Sequence, residues 1–395
     1  MCAQRVIGSE FVEQVRQRGQ VVVEVLPGDI VTDVALETAR RVGIKLLDGP
    51  IEKPLVARAD GRTAARRSLY RRSPKWMAPV ILSTSGAQRL GKISIIGAGG
   101  VGATLTHLAA QLDIANEIVL SDIVPGLAEA TALDLNHCSG ITCSHTTVNG
   151  TTDLSAIATS DVVLVTAGRA RTPGMTRQDL VASNRRVIHI VGEAIKTQAP
   201  KALVIVITNP LDEMTLEMLR CTGFPREQVL GMAGMLDSSR FRYSLARAAG
   251  VASADVQAIA LGNHGDEMVP VISNATIRGQ ALSRFLSDEE IADCVNDTIT
   301  GGSQVVAIKK SGSAIYAPAH ATIELLEHIR GGKSGHVPVS VMLQGEFGIN
   351  DVVLGVPAYV GLRGLISIEP LPLSEIETKA LQSAADAIKQ RMATS

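Results

Sequence analysis

The chain has 395 residues, 46% of them hydrophobic and 19% charged, with a formal net charge of −1; that length suits about two domains, or one large α/β domain with an appendage. A balance so close to neutral predicts no general attraction to nucleic acid or membrane, and 3% aromatics is too few for base-stacking surfaces. No apolar run is long enough to span a bilayer, and MCAQRVIGSEFVEQ lacks the apolar core of a secretory signal; the five cysteines (Cys2, Cys138, Cys143, Cys221, Cys294) form no disulfide framework, so the reducing cytoplasm is the expected compartment.

Residues 1–56 read as a small αβ extension: helix SEFVEQVRQR, strand VVVEVL, a turn at Pro27-Gly28-Asp29, helix TDVALETARRVG and strand IKLL. Gly43 stands where a helix C-terminal cap belongs. Such a unit is too small to bury a good core alone and is expected to pack on something else. Residues 57–90 read as a flexible basic linker. No acidic residue occurs between Gly61 and Leu112, while Arg62, Arg66, Arg67, Arg71, Arg72 and Lys75 cluster. Tyr70 and Trp76 alone interleave too thinly for a nucleic-acid site.

From about 91 to 392 the pattern is continuous α/β. KISIIGA, EIVLSD, DVVLVTAG and ALVIVITN are strand-like, with helical segments between them. This predicts a doubly wound parallel sheet of Rossmann type over 91–235, followed by a mixed α+β domain over 236–395. The chain closes on an amphipathic helix, LSEIETKALQSAADAIKQRM, with Ile376, Leu381, Ala384 and Ile388 expected on its buried stripe.

KISIIGAGGVGATL is an apolar strand running into G-x-G-x-x-G at Gly97, Gly99 and Gly102 and then into a helix. The first glycine allows the tight turn, the second lets a pyrophosphate approach the backbone, and the third lets helix pack close to strand. Asp122, at a strand end about twenty residues on, would accept hydrogen bonds from a ribose and repel a 2′-phosphate, which favours NAD over NADP. TAGRARTPGMTRQDL holds Arg169, Arg171 and Arg177 on a loop beyond a strand, placed to fork onto carboxylates; from charge alone a solvated basic loop reads better. Asp237 and Arg240, three apart in MLDSSRFR, share a face if helical, where a surface ion pair is the ordinary outcome. Asn209 ends VITN before Pro210, at the carboxyl edge where open α/β sheets bind ligands. HCSGITCSH (His137, Cys138, Cys143, His145) lacks zinc-knuckle spacing, so no metal is expected. His264, in LGNHGDEMVP, is by itself undecided between a structural and a proton-moving role.

Taken in order, GAGGVG, LSD, TAGRARTPGMTRQDL, VITNP, GMAGMLDSSRFR, LGNHGDEMVP, SGSAIYAPA and GVPAYVGLRG resemble the lactate/malate dehydrogenase family, specifically its malate dehydrogenases of lactate-dehydrogenase-like type. The resemblance covers essentially everything after the linker. It implies an NAD-binding Rossmann half, a catalytic half, and reversible hydride transfer between a 2-hydroxy acid and NAD. His264 matches the family's general acid/base and Asp237 its carboxylate partner. Arg240 matches the group gripping the substrate's C1 carboxylate, and Arg177 the loop arginine that polarises the reacting carbonyl. Asn209 matches the residue bonding the substrate oxygen, and Asn184, in VASNRR, resembles a position lining the cofactor site. Arg171 stands where lactate enzymes usually carry glutamine, and its charge would meet the second carboxylate of malate or oxaloacetate. A homodimer or homotetramer is the implied assembly.

Three departures accompany the match. Arg169 occupies a position that more commonly carries a smaller or apolar residue, and Asn263 replaces a more usual glycine. The extension before KISIIGAG is extra; VLPGDIVTDVALETARRVGIKLL is similar to segments on enzymes of bacterial microcompartments, which implies a docking or encapsulation module. The competing readings are a lactate or other 2-hydroxy-acid dehydrogenase, which Arg171 opposes, and an NAD-binding scaffold recruited to an assembly by its extension. A scaffold needs no proton relay.

Overall fold

The computed structural model describes residues 5–17, 22–25, 29–48, 87–169, 177–310 and 312–393. They fall into two compact units, one within residues 1–74 and the other within 75–395.

The first unit is two strand–helix–strand segments in tandem. Strand β1 (Val6–Ile7), helix α1 (Ser9–Gln17) and β2 (Val22–Val25) are followed by β3 (Ile30–Val31), α2 (Asp33–Val42) and β4 (Lys45–Asp48). The segments cross-pair: β1 lies parallel to β3, and β2 parallel to β4. Thr32 Oγ1 accepts from the Ala35 N–H at 3.2 Å to cap α2, and Gly43 ends it at φ +77°. A small core of Ile7, Val12, Val15, Val23, Ala35, Ala39 and Ile44 is buried inside the unit itself. The two-residue strands β1 and β3 were not legible, because two residues carry no periodicity. The Pro27-Gly28 turn and linker residues 57–86 lie outside the described residues.

The second unit begins before residue 91. The Gln88 N–H donates to Arg330 O at 2.9 Å, Arg89 pairs with Asp113 at 2.9 Å, and β5 (Leu90–Ile96) opens with Leu90 buried. Residues 87–90, expected in the linker, are therefore part of the folded body. Six parallel strands follow in the spatial order β7-β6-β5-β8-β9-β10, where β6 is Ala115–Ser121, β7 Thr147–Thr151, β8 Val162–Val165, β9 Leu203–Val206 and β10 Val229–Gly231. In sequence terms this is 3-2-1-4-5-6, the doubly wound arrangement, with its reversal between β5 and β8. Side chains alternate between two cores: Ile93, Ile95, Leu164 and Ile205 enter one, Val163, Val165, Val204 and Val206 the other. Both faces are covered, as near-continuous apolar strands require.

At β10 the sheet changes character. Gly231 pairs with Ser340 of β14 (Val337–Gln344), antiparallel, and from there β15 (Asn350–Gly361), β11 (Val256–Gly262), β12 (Met268–Ile277) and β13 (Gln280–Ala281) continue the same sheet, with β16 (Gly364–Ile368) pairing β15. The expected mixed α+β half is thus joined to the parallel half by one continuous sheet.

The C-terminal helix runs Glu375–Ala393 and buries Leu381, Ala384 and Ile388, but Ile376 is 82% exposed. The stripe starts one residue later, at Glu377, four before Leu381. That carboxylate accepts from the Ile272, Ser273 and Ser374 N–H groups at 2.8–3.0 Å and from the Ser273 and Ser374 hydroxyls. Five hydrogen bonds make a buried Glu acceptable where an apolar residue was expected.

Candidate active site

At the carboxyl end of β5 the glycines do three different things. Gly97 has φ +108°, and a Cβ there would come within 2.7 Å of the Ala167 nitrogen. A Cβ on Gly102 would lie 1.8 Å from Gly97 O, so only glycine lets helix α3 (Gly100–Gln111) sit this close to the strand. Gly99 differs: at φ −66° it would tolerate a side chain conformationally, and a Cβ there meets nothing within 4 Å. It is the N-cap of α3 without a side-chain cap, so the open space fronts unpaired N–H groups at a helix N-terminus, where an anion is favoured. Asp122, beyond β6, accepts from the Ala98 N–H at 2.7 Å and the Val124 N–H at 2.9 Å, which fixes its carboxylate beside the same turn. A pyrophosphate at Gly99 and a ribose at Asp122 suit a dinucleotide.

The ends of β8 and β9 are clamped by Asn184, in helix α5 (Arg177–Gln198). This buried amide accepts from the Arg169 N–H at 2.7 Å and donates to Arg169 O at 3.1 Å and Asn209 O at 2.6 Å. Its polar atoms are spent on main chain, so it sets the course of the two loops that carry Arg169 and Asn209. Both of those residues are exposed. Arg171 lies outside the described residues. Arg177 opens α5, and its side chain is likewise outside the description.

Across the seam, helix α7 (Gly234–Ala249) places Asp237 and Arg240 one turn apart. Asp237 is 2% exposed and uses both oxygens: Oδ2 lies 2.7 Å from His264 Nδ1, and Oδ1 accepts from Arg240 Nη1 at 2.9 Å. The ordinary outcome, a solvated ion pair, does not hold here. Gly301 and Gly302, on helix α8 (Asp288–Lys309), pass over the guanidinium; a Cβ on Gly301 would lie 3.3 Å from Arg240 Cδ. Burial lowers the affinity of His264 for a proton, yet the Asp237 charge and hydrogen bond outweigh this, and its pKa is raised above the ordinary histidine value.

His264 sits on the loop joining β11 to β12, where the Gly265 N–H donates to Asn263 O at 2.9 Å. A further carboxylate reaches it. Asp212, in the first turn of helix α6 (Leu211–Thr222), is fully buried and accepts from the His264 N–H at 2.8 Å and the Ser340 hydroxyl at 2.7 Å. Burial and the neighbouring Glu213 push its pKa up to about 6, against those two hydrogen bonds. Neither Asp212 nor Ser340 was singled out in the sequence; the available signal was an acidic residue two places after the Asn209-Pro210 strand end. Asn263 is also buried, with no hydrogen-bond partner for its side-chain amide among the described residues.

Cys138 lies within helix α4 (Leu127–Thr142), and Cys143 ends it at φ +57°. Among the described residues no three His, Cys, Asp or Glu side chains gather to hold a metal ion. A cavity of about 650 Å³ lies at the amino ends of the parallel strands, beside Arg89, Asp161 and Lys201, away from all the groups above.

Two family models match this chain: lactate/malate dehydrogenase, NAD binding domain, over residues 91–231, and lactate/malate dehydrogenase, alpha/beta C-terminal domain, over 234–395. Malate dehydrogenase 1 of Anaeromyxobacter dehalogenans is 43% identical over 304 residues, 76% of this chain and 97% of the relative. The crystal structure of Cryptosporidium parvum malate dehydrogenase superposes with a TM-score of 0.74 at 37% identity, over 76% of this chain and 98% of that one. The lactate dehydrogenase of the same organism, solved with lactic acid and nicotinamide adenine dinucleotide, gives 0.74 at 35% identity, over 77% and 97%.

Proposed function

This chain belongs to the lactate/malate dehydrogenase family, and from that premise we propose that it acts as an NAD-dependent malate dehydrogenase, interconverting malate with oxaloacetate. The observation that carries the reading is the Asp237–His264 pair, 2.7 Å apart, beside Arg240, in a molecule whose parallel sheet carries the open glycine turn at the end of β5. NAD, when bound, would supply the hydride acceptor, and NADH the hydride donor. Gly97, Gly99, Gly102 and Asp122 would hold that cofactor by its pyrophosphate and ribose.

The residues of this chain handle the proton and the charge. His264 Nδ1–H donates to Asp237, which leaves Nε2 to take the substrate hydroxyl proton in oxidation and to return it to the carbonyl oxygen in reduction. The Asp237 carboxylate stabilises the imidazolium, and its second oxygen steadies Arg240. Arg240 grips the C1 carboxylate, Asn209 bonds the reacting oxygen, and Arg177 polarises the carbonyl. Asn184 acts on the site through its hold on the Arg169 and Asn209 main chain.

Malate over lactate rests on Arg171, whose charge pairs with the second carboxylate and would be left alone by pyruvate. Arg171→Gln should lower kcat/KM for oxaloacetate by about 100-fold or more and raise that for pyruvate, measured by NADH oxidation. An unchanged ratio would remove Arg171 as the discriminator; a wild-type preference for pyruvate would remove the malate reading.

The unit within residues 1–74 acts as a docking or encapsulation module for an assembly such as a microcompartment shell. Its own small core and its position before the family-matched residues support this. Removing residues 1–86 should leave turnover within about twofold and abolish recruitment to the assembly; loss of the folded enzyme instead would refute modularity. The cut spares Gln88, which bonds the catalytic body. The enzyme works as a homodimer or homotetramer, a reading supported by outward Leu133, Ile141 and Ile308. Among the described residues no helix is long and apolar enough to cross a membrane. The cytoplasm is the proposed compartment, in keeping with free Cys138, Cys143, Cys221 and Cys294.

A further inference from the structure

His264 is held at two points by two different carboxylates. Asp237 takes the ring, at Nδ1. Asp212 takes the main chain, at the amide nitrogen of the same residue. The second contact comes from the other half of the molecule: Asp212 is in the first turn of α6, within the residues matched to the NAD-binding domain, whereas His264 and Ser340 belong to the following one. Ser340, whose hydroxyl occupies the other Asp212 oxygen, is the residue that pairs with Gly231 where the parallel and antiparallel halves meet. Asp212, His264 and the seam are thus one hydrogen-bonded unit.

A carboxylate is an expensive way to hold a main-chain N–H at a site with no solvent, since burial works against its charge. A first-turn position on a helix offsets part of this through the dipole. We propose that Asp212 is a positioning residue for the acid/base histidine, carried by the cofactor-binding half, which fixes the His264 main chain and electrostatically favours its imidazolium. The proposal rests on the assignment of His264 as the proton-transferring group.

Glu213 adjoins Asp212 on α6 and pairs with Arg391 of helix α10 (Glu375–Ala393), which also binds Glu267 at the end of the His264 loop. Asp237 and Arg240 face His264 from α7. The Asp212 charge raises the pKa of His264, in the same sense as Asp237 and against Arg240. Loss of that charge should therefore let the imidazolium give up its proton at lower pH.

Two substitutions separate position from charge. In Asp212→Asn the amide oxygen can still accept from the His264 N–H, and the amide N–H can donate to Ser340, so geometry survives and charge does not. In Asp212→Ala both are lost. On the full chain, the pH at which His264 becomes reactive toward diethylpyrocarbonate reads its titration without any substrate; the His264→Asn variant identifies the phase. Asp212→Asn should move that midpoint, and the alkaline limb of oxaloacetate reduction, to lower pH by roughly half a pH unit or more. Asp212→Ala should add a fall in kcat of about 10- to 100-fold with NADH affinity within about twofold, because a small misplacement of the acid/base costs rate rather than cofactor binding.

A midpoint and a pH limb that stay put in Asp212→Asn would overturn the electrostatic part. Full kcat in a folded Asp212→Ala would overturn the positioning part. If wild type reduces no oxaloacetate, the proposed function fails, while the diethylpyrocarbonate midpoint still tests the link between Asp212 and His264.

Discussion

The parallel and antiparallel halves of the second unit make their contributions to the site in opposite ways. At the glycine turn of the parallel half the working features are atoms that are missing. Gly97 and Gly102 lack a Cβ that would strike backbone, and Gly99 lacks one that would fill open space at a helix N-terminus. In the antiparallel half the working features are charged and titratable groups held out of water, with Asp237, Arg240 and His264 joined by bonds of 2.7 and 2.9 Å. The first kind of site is a matter of shape and should be indifferent to pH. The second is a matter of charge and should follow it.

Substitutions can sharpen or break this contrast. The largest effect belongs to the charged half. His264→Asn should lower kcat by about 10³-fold, with NADH affinity retained, because only the proton transfer is removed. Stopped-flow NADH binding and steady-state turnover on one preparation would check it. A variant that lost both together would show that the two halves are not separable. Next comes Gly102→Ala. A Cβ 1.8 Å from Gly97 O must push helix from strand, at a cost of about 3 kcal/mol in stability together with the loss of cofactor binding; denaturant melts and NADH titration would both register it. Gly99→Ala is the finest probe, since the protein leaves room for the methyl group. Stability should stay within about 0.5 kcal/mol, while the Kd for NADH rises about tenfold or more as the methyl blocks the pyrophosphate. Unchanged affinity would place the cofactor elsewhere.

The same contrast explains what could be read without coordinates. The missing atoms were legible because their meaning is local: an apolar strand, three glycines at fixed spacing and a helix are contiguous, and β5, the turn and α3 follow in that order. Strands β7 and β10 were not legible, since TVNGT is polar and VLG has three residues. The charged half was legible only by resemblance. Nothing in MLDSSRFR says that Asp237 is buried, and nothing near His264 names its partner. Asp212 was invisible for the same reason. An acidic residue in the first turn of a helix is ordinarily a solvated complement to the dipole, and only the fold brings it to His264 and Ser340. Ile376 failed oppositely: hydrophobicity placed it inward, yet the buried register belongs to Glu377, which satisfies its charge with main-chain and hydroxyl donors.

One measurement tests the contrast most directly: NADH affinity and kcat/KM for oxaloacetate, on the full chain, across roughly pH 5 to 9. Reduction needs His264 protonated, and its pKa is raised above the ordinary value of about 6.5. The account predicts an NADH Kd constant within about twofold, while kcat/KM holds to a pH above the ordinary histidine value and then falls about tenfold per pH unit as the imidazolium is lost. A kcat/KM that ignores pH, or an NADH affinity that falls with it, would contradict the division of the site into shape and charge.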